Sequence, residues 1–150
     1  MIHPQNGVDT VLMLPLAAAA ATAARTASWD TVQVDGSAKY AEIRIVISTE
    51  VTTDNTGPTI SLLESDDTVV TNHATFDSNF ELADTGVVAG KEIRYLVDLK
   101  GRKRYLRLTV TPETVATDDQ IQFCAIGTLH RTGVYPGSTT DMGDDVVVIG

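Results

Sequence analysis

Apolar and polar residues alternate along much of this chain with a period of two, which is typical of β-strands. The clearest stretch is YAEIRIVIS, residues 40–48. Its alternate positions place four apolar side chains on one face: Ala41, Ile43, Ile45 and Ile47. After the turn-forming DNTGP at residues 54–58, TISLLES at residues 59–65 predicts a second strand, and we expect these two strands to form a hairpin.

The second half of the chain has the same period. KEIRYLVDL and RKRYLRLTV lie on either side of a turn at Lys100 and Gly101 and predict a hairpin that Pro112 ends. In the second of these strands, Leu106, Leu108 and Val110 share one face, which we expect to point into the core. QIQFCAIGTLH at residues 120–130 predicts a further strand, with Ile121, Phe123, Ala125 and Leu129 toward one side.

The remaining segments complete a β-rich chain. Residues 31–34 and 145–149 are candidate edge strands, and residues 69–90 predict weak strands or a loop that crosses between sheets. About seven or eight short strands, with turn signals every 8 to 12 residues and no amphipathic helix after residue 30, predict an all-β fold. We expect an antiparallel β-sandwich, with a jelly roll as the favoured variant.

The two ends of the chain lack the regular alternation of apolar and polar residues that its middle has. We expect the sandwich to span residues 31–130, with an Ala-rich N-terminal arm over residues 1–30 and a C-terminal arm or edge strand over residues 131–150. LPLAAAAATAA at residues 14–24 is apolar, but it is shorter than the roughly 20 residues of a membrane helix and no Lys or Arg precedes it. We therefore expect arms that lie across other subunits, and no membrane contact.

Charge is unevenly distributed. The formal net charge is -9, yet one short region carries seven of the 11 Lys and Arg residues: Lys91, Arg94, Lys100, Arg102, Lys103, Arg104 and Arg107. By strand parity, Lys103, Tyr105 and Arg107 form a basic stripe on the outer face. This stripe is either a solvated face that guards the strand or a contact with an acidic partner. The candidate oligomer or capsid contacts are Arg94, Lys100, Arg102, Lys103, Arg104, Tyr105 and Arg107.

A second copy of the chain is one acidic partner, because paired aspartates lie on predicted loops: Asp66 and Asp67, Asp118 and Asp119, Asp144 and Asp145. The overall negative charge argues against nucleic acid as the partner of the basic stripe. The single cysteine, Cys124, excludes an intrachain disulfide and is predicted to pack within a strand.

No catalytic constellation is visible in the sequence. His3, His73 and His130 are far apart, and no HExxH, GxSxG, P-loop or CxxC pattern occurs. DNTG at residues 54–57 and ESDD at residues 64–67 offer oxygen ligands of the kind Ca²⁺ takes, but turn geometry also explains these residues. We therefore expect no enzyme, no cofactor and no assigned metal site.

With these strands in place, the chain resembles the small β-sandwich decoration, or cement, proteins of tailed-phage heads. Three features carry the resemblance: the Ala-rich N-terminal segment leading to YAEIRIVIS, the ISLLESDD segment, and GRKRYLRLTVTP followed by an alternating strand with Ala125 and Gly127. It covers roughly residues 10–130, and the C-terminal GVYPGSTTDMGDD is not matched.

The resemblance implies a structural virion protein. Such a protein is a trimer on local threefold positions outside an icosahedral shell, where it binds neighbouring major capsid subunits and stabilises the shell against internal pressure. A carbohydrate- or receptor-binding sandwich module of a head or tail fibre is the alternative, although the chain has few aromatic residues for such a site. A hydrolase on a sandwich scaffold would need a convergent acid and base that the sequence does not locate.

Overall fold

The computed structural model describes residues 7–19, 23–32, 38–48, 59–81, 90–111, 121–130 and 145–149. Within these ranges the chain forms nine strands: β1 (Gly7–Ala19), β2 (Arg25–Asp30), β3 (Tyr40–Ile47), β4 (Thr59–Ser65), β5 (Ala74–Glu81), β6 (Glu92–Asp98), β7 (Tyr105–Thr111), β8 (Ile121–His130) and β9 (Asp145–Ile149). One 3-10 turn, Val70–Asn72, precedes β5. No helix in this part of the chain is long and apolar enough to cross a membrane.

The strands form two sheets that pack face to face. The five-stranded sheet has the order β1-β8-β3-β6-β9, and the four-stranded sheet has the order β2-β7-β4-β5. Four antiparallel pairs, β1 with β8, β2 with β7, β3 with β6 and β4 with β5, are the rungs of one long ribbon. Rolling this ribbon adds the pairs β3 with β8 and β4 with β7. This is the strand order of a jelly roll, and the predicted antiparallel β-sandwich is confirmed.

Alternating burial along the central strands builds the core. Ala41, Ile43, Ile45 and Ile47 of β3 are buried, and the residues between them, Glu42, Arg44 and Val46, are partly exposed. Along β7, Leu106, Leu108 and Val110 are buried as predicted. Phe123, Ala125 and Leu129 of β8 are buried as well, and these side chains join one hydrophobic cluster between the sheets.

Both predicted hairpins are wrong. β3 and β4 lie in different sheets, and so do β6 and β7. The β6–β7 connection, residues 99–104, crosses from one sheet to the other. A turn signal between two alternating segments looks the same whether the next strand pairs beside the first or crosses to the opposite sheet, so the sequence did not separate the two cases.

The predicted N-terminal arm over residues 1–30 is wrong too, because its described segments are strands of the sandwich. β1 pairs with β8 from Gly7 opposite His130 to Ala19 opposite Ile121, and β2 pairs with β7. Leu14 and Trp29 are buried in the core. The body of the fold therefore begins at β1, and not at residue 31. Thr31 and Val32 form a turn after β2, while the rest of the predicted 31–34 strand lies outside the described residues.

An irregularity in β1 explains why its period was missed. The β1/β8 register shifts between Leu14 and Ala17, around Pro15, so the alternation breaks there. The Arg25 side chain of β2 makes hydrogen bonds with backbone carbonyls at this irregularity. Its Nη2 donates to the Pro15 carbonyl (2.6 Å), and its Nη1 donates to the Phe123 carbonyl (3.0 Å). The same guanidinium lies 4.7 Å from the centroid of the Phe123 ring. One side chain thus binds carbonyls of both strands where their ladder is irregular.

The Trp29 side chain spans the core between the two sheets. Its ring, carried by β2, reaches across the core to Gly127 on β8. A Cβ at position 127 would lie 2.8 Å from Cζ3 of Trp29, closer than carbon atoms approach without rearrangement. Gly127 is therefore the residue that makes room for the indole in an otherwise alternating strand.

The C-terminal strand differs from the other described strands. β9 pairs with β6 in parallel, from Ile93 opposite Asp145 to Val97 opposite Ile149. It lies at the edge of the five-stranded sheet, at a position the sequence marked as a candidate edge strand. The ambiguous segment before residue 90 contains β5, which pairs with β4 through two register shifts.

Candidate interaction surface

The basic segment lies at one end of the sandwich, in the β6–β7 loop, which we define as residues 99–104. The loop turns at Gly101, whose φ of 79° is a left-handed conformation that favours glycine. The Arg102 amide donates to the Leu99 carbonyl (3.1 Å), and the Lys100 amide donates to Asp98 Oδ1 (2.9 Å). The loop therefore holds its cations on a hydrogen-bonded turn between the two sheets.

Consecutive cations of this loop each contact a carboxylate of the same chain. Arg102 Nη1 lies 3.9 Å from Glu64 Oε1, and Lys103 Nζ lies 3.4 Å from Asp66 Oδ2. The Lys103 amide also donates to Glu64 Oε2 (3.2 Å). These carboxylates belong to the end of β4 and the loop after it. The positive charge that is concentrated in the sequence is therefore largely compensated in the folded chain.

Arg104 makes the closest of these pairs. Its Nη2 lies 2.6 Å from Asp30 Oδ2, and its Nε donates to both oxygens of the same carboxylate (3.0 and 3.1 Å). This hydrogen bond from Arg104 lowers the pKa of Asp30, and it raises the pKa of Arg104. The Arg104 guanidinium also lies 5.0 Å from the centroid of the Tyr105 ring. Asp30 is the last residue of β2, so this ion pair links β2 to the β6–β7 loop.

Two of the predicted contact residues have no ion pair among the residues that the structure describes. Lys100 is exposed at the tip of the loop. Arg107 is half buried on the outer face of β7, opposite Ser28 of β2 and Leu63 of β4. Tyr105 shares that outer face, as the strand parity predicted, whereas Lys103 precedes the strand. Of the predicted contact residues, Lys100 and Arg107 can thus pair with an outside group without breaking an ion pair in the described part of the chain.

Arg94, the remaining predicted contact residue, lies elsewhere, on the outer face of the five-stranded sheet. There it belongs to an outer-face ion network, which we define as His130, Glu42, Arg94, Glu92 and Arg44. Arg44 binds Glu92 through two hydrogen bonds (3.0 and 2.9 Å), and Arg94 contacts both Glu92 and Glu42. His130 Nε2 lies 3.1 Å from Glu42 Oε2. The network connects β8, β3 and β6.

The carboxylates of the network are held in their charged form. The hydrogen bond with His130, followed by the charges of His130, Arg94 and Arg44, lowers the pKa of Glu42 against the opposing effect of burial. The hydrogen bond from Arg44 lowers the pKa of Glu92 in the same way. The network was not predicted from the sequence. Its signal was present, because Glu42 and Arg44, like Glu92 and Arg94, place opposite charges two residues apart on one strand face.

Two shallow clefts border the β6–β7 loop. One, of about 230 Å³, is lined by Thr31, Val32, Ala38, Leu99, Arg102, Lys103 and Arg104. The other, of about 370 Å³, is lined by Ala38, Lys39, Tyr40, Asp98, Leu99 and Lys100. Cationic side chains outnumber the single carboxylate, that of Asp98, and its Oδ1 already accepts the Lys100 amide. The linings suit contact with an acidic surface better than acid–base chemistry.

The ESDD carboxylates are occupied by protein contacts. Asp67 accepts from the Val69 amide (2.8 Å) and from Asn72 Nδ2 (2.7 Å), and the hydrogen bond from Asn72 lowers its pKa. Glu64 and Asp66 contact the β6–β7 loop. No cluster of three His, Cys, Asp or Glu side chains that could hold a metal is found in the described part of the chain. The DNTG sequence at residues 54–57 lies outside it.

The histidines and the cysteine are also separate from one another. His73 Nδ1 lies 3.0 Å from the Val69 carbonyl oxygen, in the loop before β5, whereas His130 belongs to the outer-face ion network. Cys124 is half buried on β8, between the buried Phe123 and Ala125. His3 lies outside the described residues. The described histidines and the cysteine therefore form no nucleophile and base pair.

These features define a jelly-roll β-sandwich with two separate charged surfaces. No family model matches the sequence, and no curated protein matches it. Among solved structures, the PBSX exported protein XepA is similar with a TM-score of 0.56 and 18% identity, over 93% of this chain and 43% of the XepA chain. This chain thus spans less than half of XepA, and the likeness shows the fold. A structure of infectious bursal disease virus, Gx strain, matches with a TM-score of 0.36 and 15% identity, over 85% of this chain and 34% of that chain.

Proposed function

We propose that this chain is a structural protein of a tailed-phage virion, without enzymatic activity, that binds the outside of the capsid as an oligomer and stabilises the shell. The major capsid protein is its partner, and the oligomer is a trimer. The proposal starts from the resemblance of the GRKRYLRLTVTP segment to capsid decoration proteins. One structural observation supports it most: this segment holds its cations at one end of the sandwich by internal ion pairs.

Charges that are fixed in this way favour specific docking over long-range attraction. A surface of alternating, immobilised charges selects a complementary partner and sets its orientation. Lys100 and Arg107 add positive charge that has no internal ion pair in the described structure. We expect them to contact acidic groups of the capsid or of a sister subunit.

An oligomer strengthens such contacts. Each docking end contributes a modest interaction, and three linked ends bind far more tightly than one when the geometry lets them engage together. A shell under outward pressure separates along subunit boundaries, so a protein that contacts several capsid subunits at once opposes that separation.

The test is a binding experiment with expanded capsids that lack the protein. We expect the purified wild type to be oligomeric by light scattering and to co-sediment with these capsids. Lys100→Gln combined with Arg107→Gln should weaken binding several-fold, and more at low salt, where charge contacts are less screened. The matched control is Gln122→Glu with Ser48→Glu, which changes the net charge equally at the opposite, exposed end of the five-stranded sheet.

Two results would refute the proposal. One is a wild-type protein that stays monomeric and does not bind capsids. The other is equal loss of binding in the loop variant and in its control, because that would assign the effect to net charge alone.

The carbohydrate-binding alternative gains no support from the fold. Sugars stack on exposed aromatic rings, but in the described part of the chain Trp29 and Tyr95 are buried in the core and Tyr40 and Tyr105 are only partly exposed. Saturable binding on a glycan array would revive this alternative.

A further inference from the structure

β9 stands outside the ribbon that makes the jelly roll. The eight preceding strands form four antiparallel rungs and close into two sheets without it. β9 pairs in parallel, whereas the other described strand pairs are antiparallel. Within the described residues, β6 is the strand with which β9 pairs. The jelly roll is therefore complete before β9 is added.

Without β9, β6 is the edge strand of its sheet and can pair with a further strand. Ile93, Tyr95 and Val97 are fully buried on the core face, and Leu96, on the opposite face, is only 2% exposed. A strand with an open edge promotes unwanted pairing, so native sheets often cover such edges. β9 covers β6 along Ile93 to Val97. The β9 that covers β6 in each copy of the chain need not be its own.

The connection to β9 is long enough to reach another subunit. Residues 131–144 separate β8 from β9. Such a segment can span up to roughly 50 Å when extended, since a residue covers about 3.5 Å. The ladder between β6 and β9 is the same whether the strand comes from the same chain or from a neighbour, so exchange keeps these contacts and adds a link between subunits.

We infer that β9 is exchanged: the Asp145–Ile149 strand of one copy adds to the β6 edge of a neighbouring copy. Each subunit then donates one strand and accepts one, and a closed ring fills every β6 edge. This inference rests on the oligomer of the proposed function and deepens it, because it names the segment and the edge that hold the subunits together.

Cysteine cross-linking distinguishes exchange from pairing within one chain. Leu96 and Val148 are directly opposite in the ladder. In a Cys124→Ser background, one chain carries Leu96→Cys and the other carries Val148→Cys, and the two are unfolded, mixed and refolded together. After oxidation we expect a covalent dimer from the mixture and none from either chain alone. The double variant, with both cysteines in one chain, should give interchain products.

An intrachain disulfide in the double variant, together with no dimer in the mixture, would overturn the inference. Arg94→Cys with Val146→Cys, another pair in the same ladder, repeats the test without altering the buried Leu96. Removing residues 145–150 is the second measurement, and it should convert the oligomer to a folded monomer by light scattering. A truncated protein that keeps the oligomer would contradict exchange.

The two proposals fail separately. An oligomer that binds capsids but forms only intrachain disulfides retains the proposed function and rejects the exchange. A wild-type protein that neither oligomerises nor binds capsids rejects both.

Discussion

The two ends of this chain look alike in sequence and differ in the fold. Neither the first 30 nor the last 20 residues have a long regular alternation, and both ends were expected to be arms or edge elements. The N-terminal end provides β1 and β2, one strand for each sheet, and places Leu14 and Trp29 in the core. The C-terminal end provides β9, a parallel strand added to a finished sandwich. The difference is in topology, because an early strand can be part of the ribbon while a late one is appended to it.

Paired truncations test this comparison with the largest expected effect. Removing residues 1–24 deletes β1, opens the edge of β8 and takes Leu14 from the core, so we expect loss of cooperative folding. Removing residues 145–150 deletes only β9, and we expect the sandwich to remain folded. Circular dichroism and urea unfolding measure both. A protein lacking residues 1–24 that unfolds as cooperatively as the full chain would make the N-terminus the appended end.

Trp29→Ala should show how deeply the N-terminal end enters the core. The substitution removes a buried ring that spans both sheets, and large-to-small changes of this kind cost about 3–5 kcal/mol. Urea unfolding gives the change in the free energy of unfolding. The control is Val32→Ala, three residues later and 48% exposed, which should change that free energy by less than about 0.5 kcal/mol. Similar effects from both would mean that β2 is peripheral.

Gly127→Ala tests the other side of the same contact. The added methyl would lie 2.8 Å from the Trp29 ring, so we expect a loss of about 1–3 kcal/mol from overpacking. Combining Gly127→Ala with Trp29→Leu should cost less than the sum of the two changes, because the smaller side chain leaves room for the methyl. Strict additivity in urea unfolding would place the two residues out of contact.

We expect the pH dependence of stability to arise from carboxylates of strands β1–β8 and not from β9. The pKa values of Glu42, Glu92 and Asp30 are lowered in the folded chain, so the folded state binds fewer protons than the unfolded state at acid pH. Their contribution is complete above the ordinary carboxyl pKa of about 4 and is lost as the pH falls through the folded values. We expect the free energy of unfolding to decrease as the pH falls from about 5 through the lowered pKa values of the folded chain.

Two variants make this pH prediction specific. Glu42→Gln should flatten the pH dependence, since it removes one of the carboxylates that must be protonated. The protein lacking residues 145–150 should keep the wild-type dependence, because the outer-face ion network connects β8, β3 and β6. A flattened dependence in that truncation would show that β9 contributes to the network.

Period-two patterning predicted the central strands well, and the reason is physical. Each of β3, β7 and β8 has one face on the core, so burial imposes alternation on its sequence. β1 was not recognised as a strand because the register shift around Pro15 interrupts its alternation. The sequence also does not encode which sheet a strand joins. KEIRYLVDL and RKRYLRLTV therefore suggested a hairpin, although their strands lie in opposite sheets.

The candidate contact set was limited by the same missing information. Arg94 and Arg104 are ten positions apart in sequence, yet one belongs to the outer face of the five-stranded sheet and the other to the loop at its end. Their carboxylate partners, Glu42 and Asp30, come from strands that only the three-dimensional pairing brings close. Cations that are close together in the sequence thus lie on two separate surfaces of the folded chain.

The pairing of β1 with β8 has a consequence for how the protein is made. β1 has its partner among residues 121–130, so during synthesis it cannot pair until those residues have been made. Until then its apolar residues are unprotected in the nascent polypeptide. Because the pairing of β1 with β8 closes the longest loop of the ribbon, we expect this pair to form late and folding to be slow for a domain of this size.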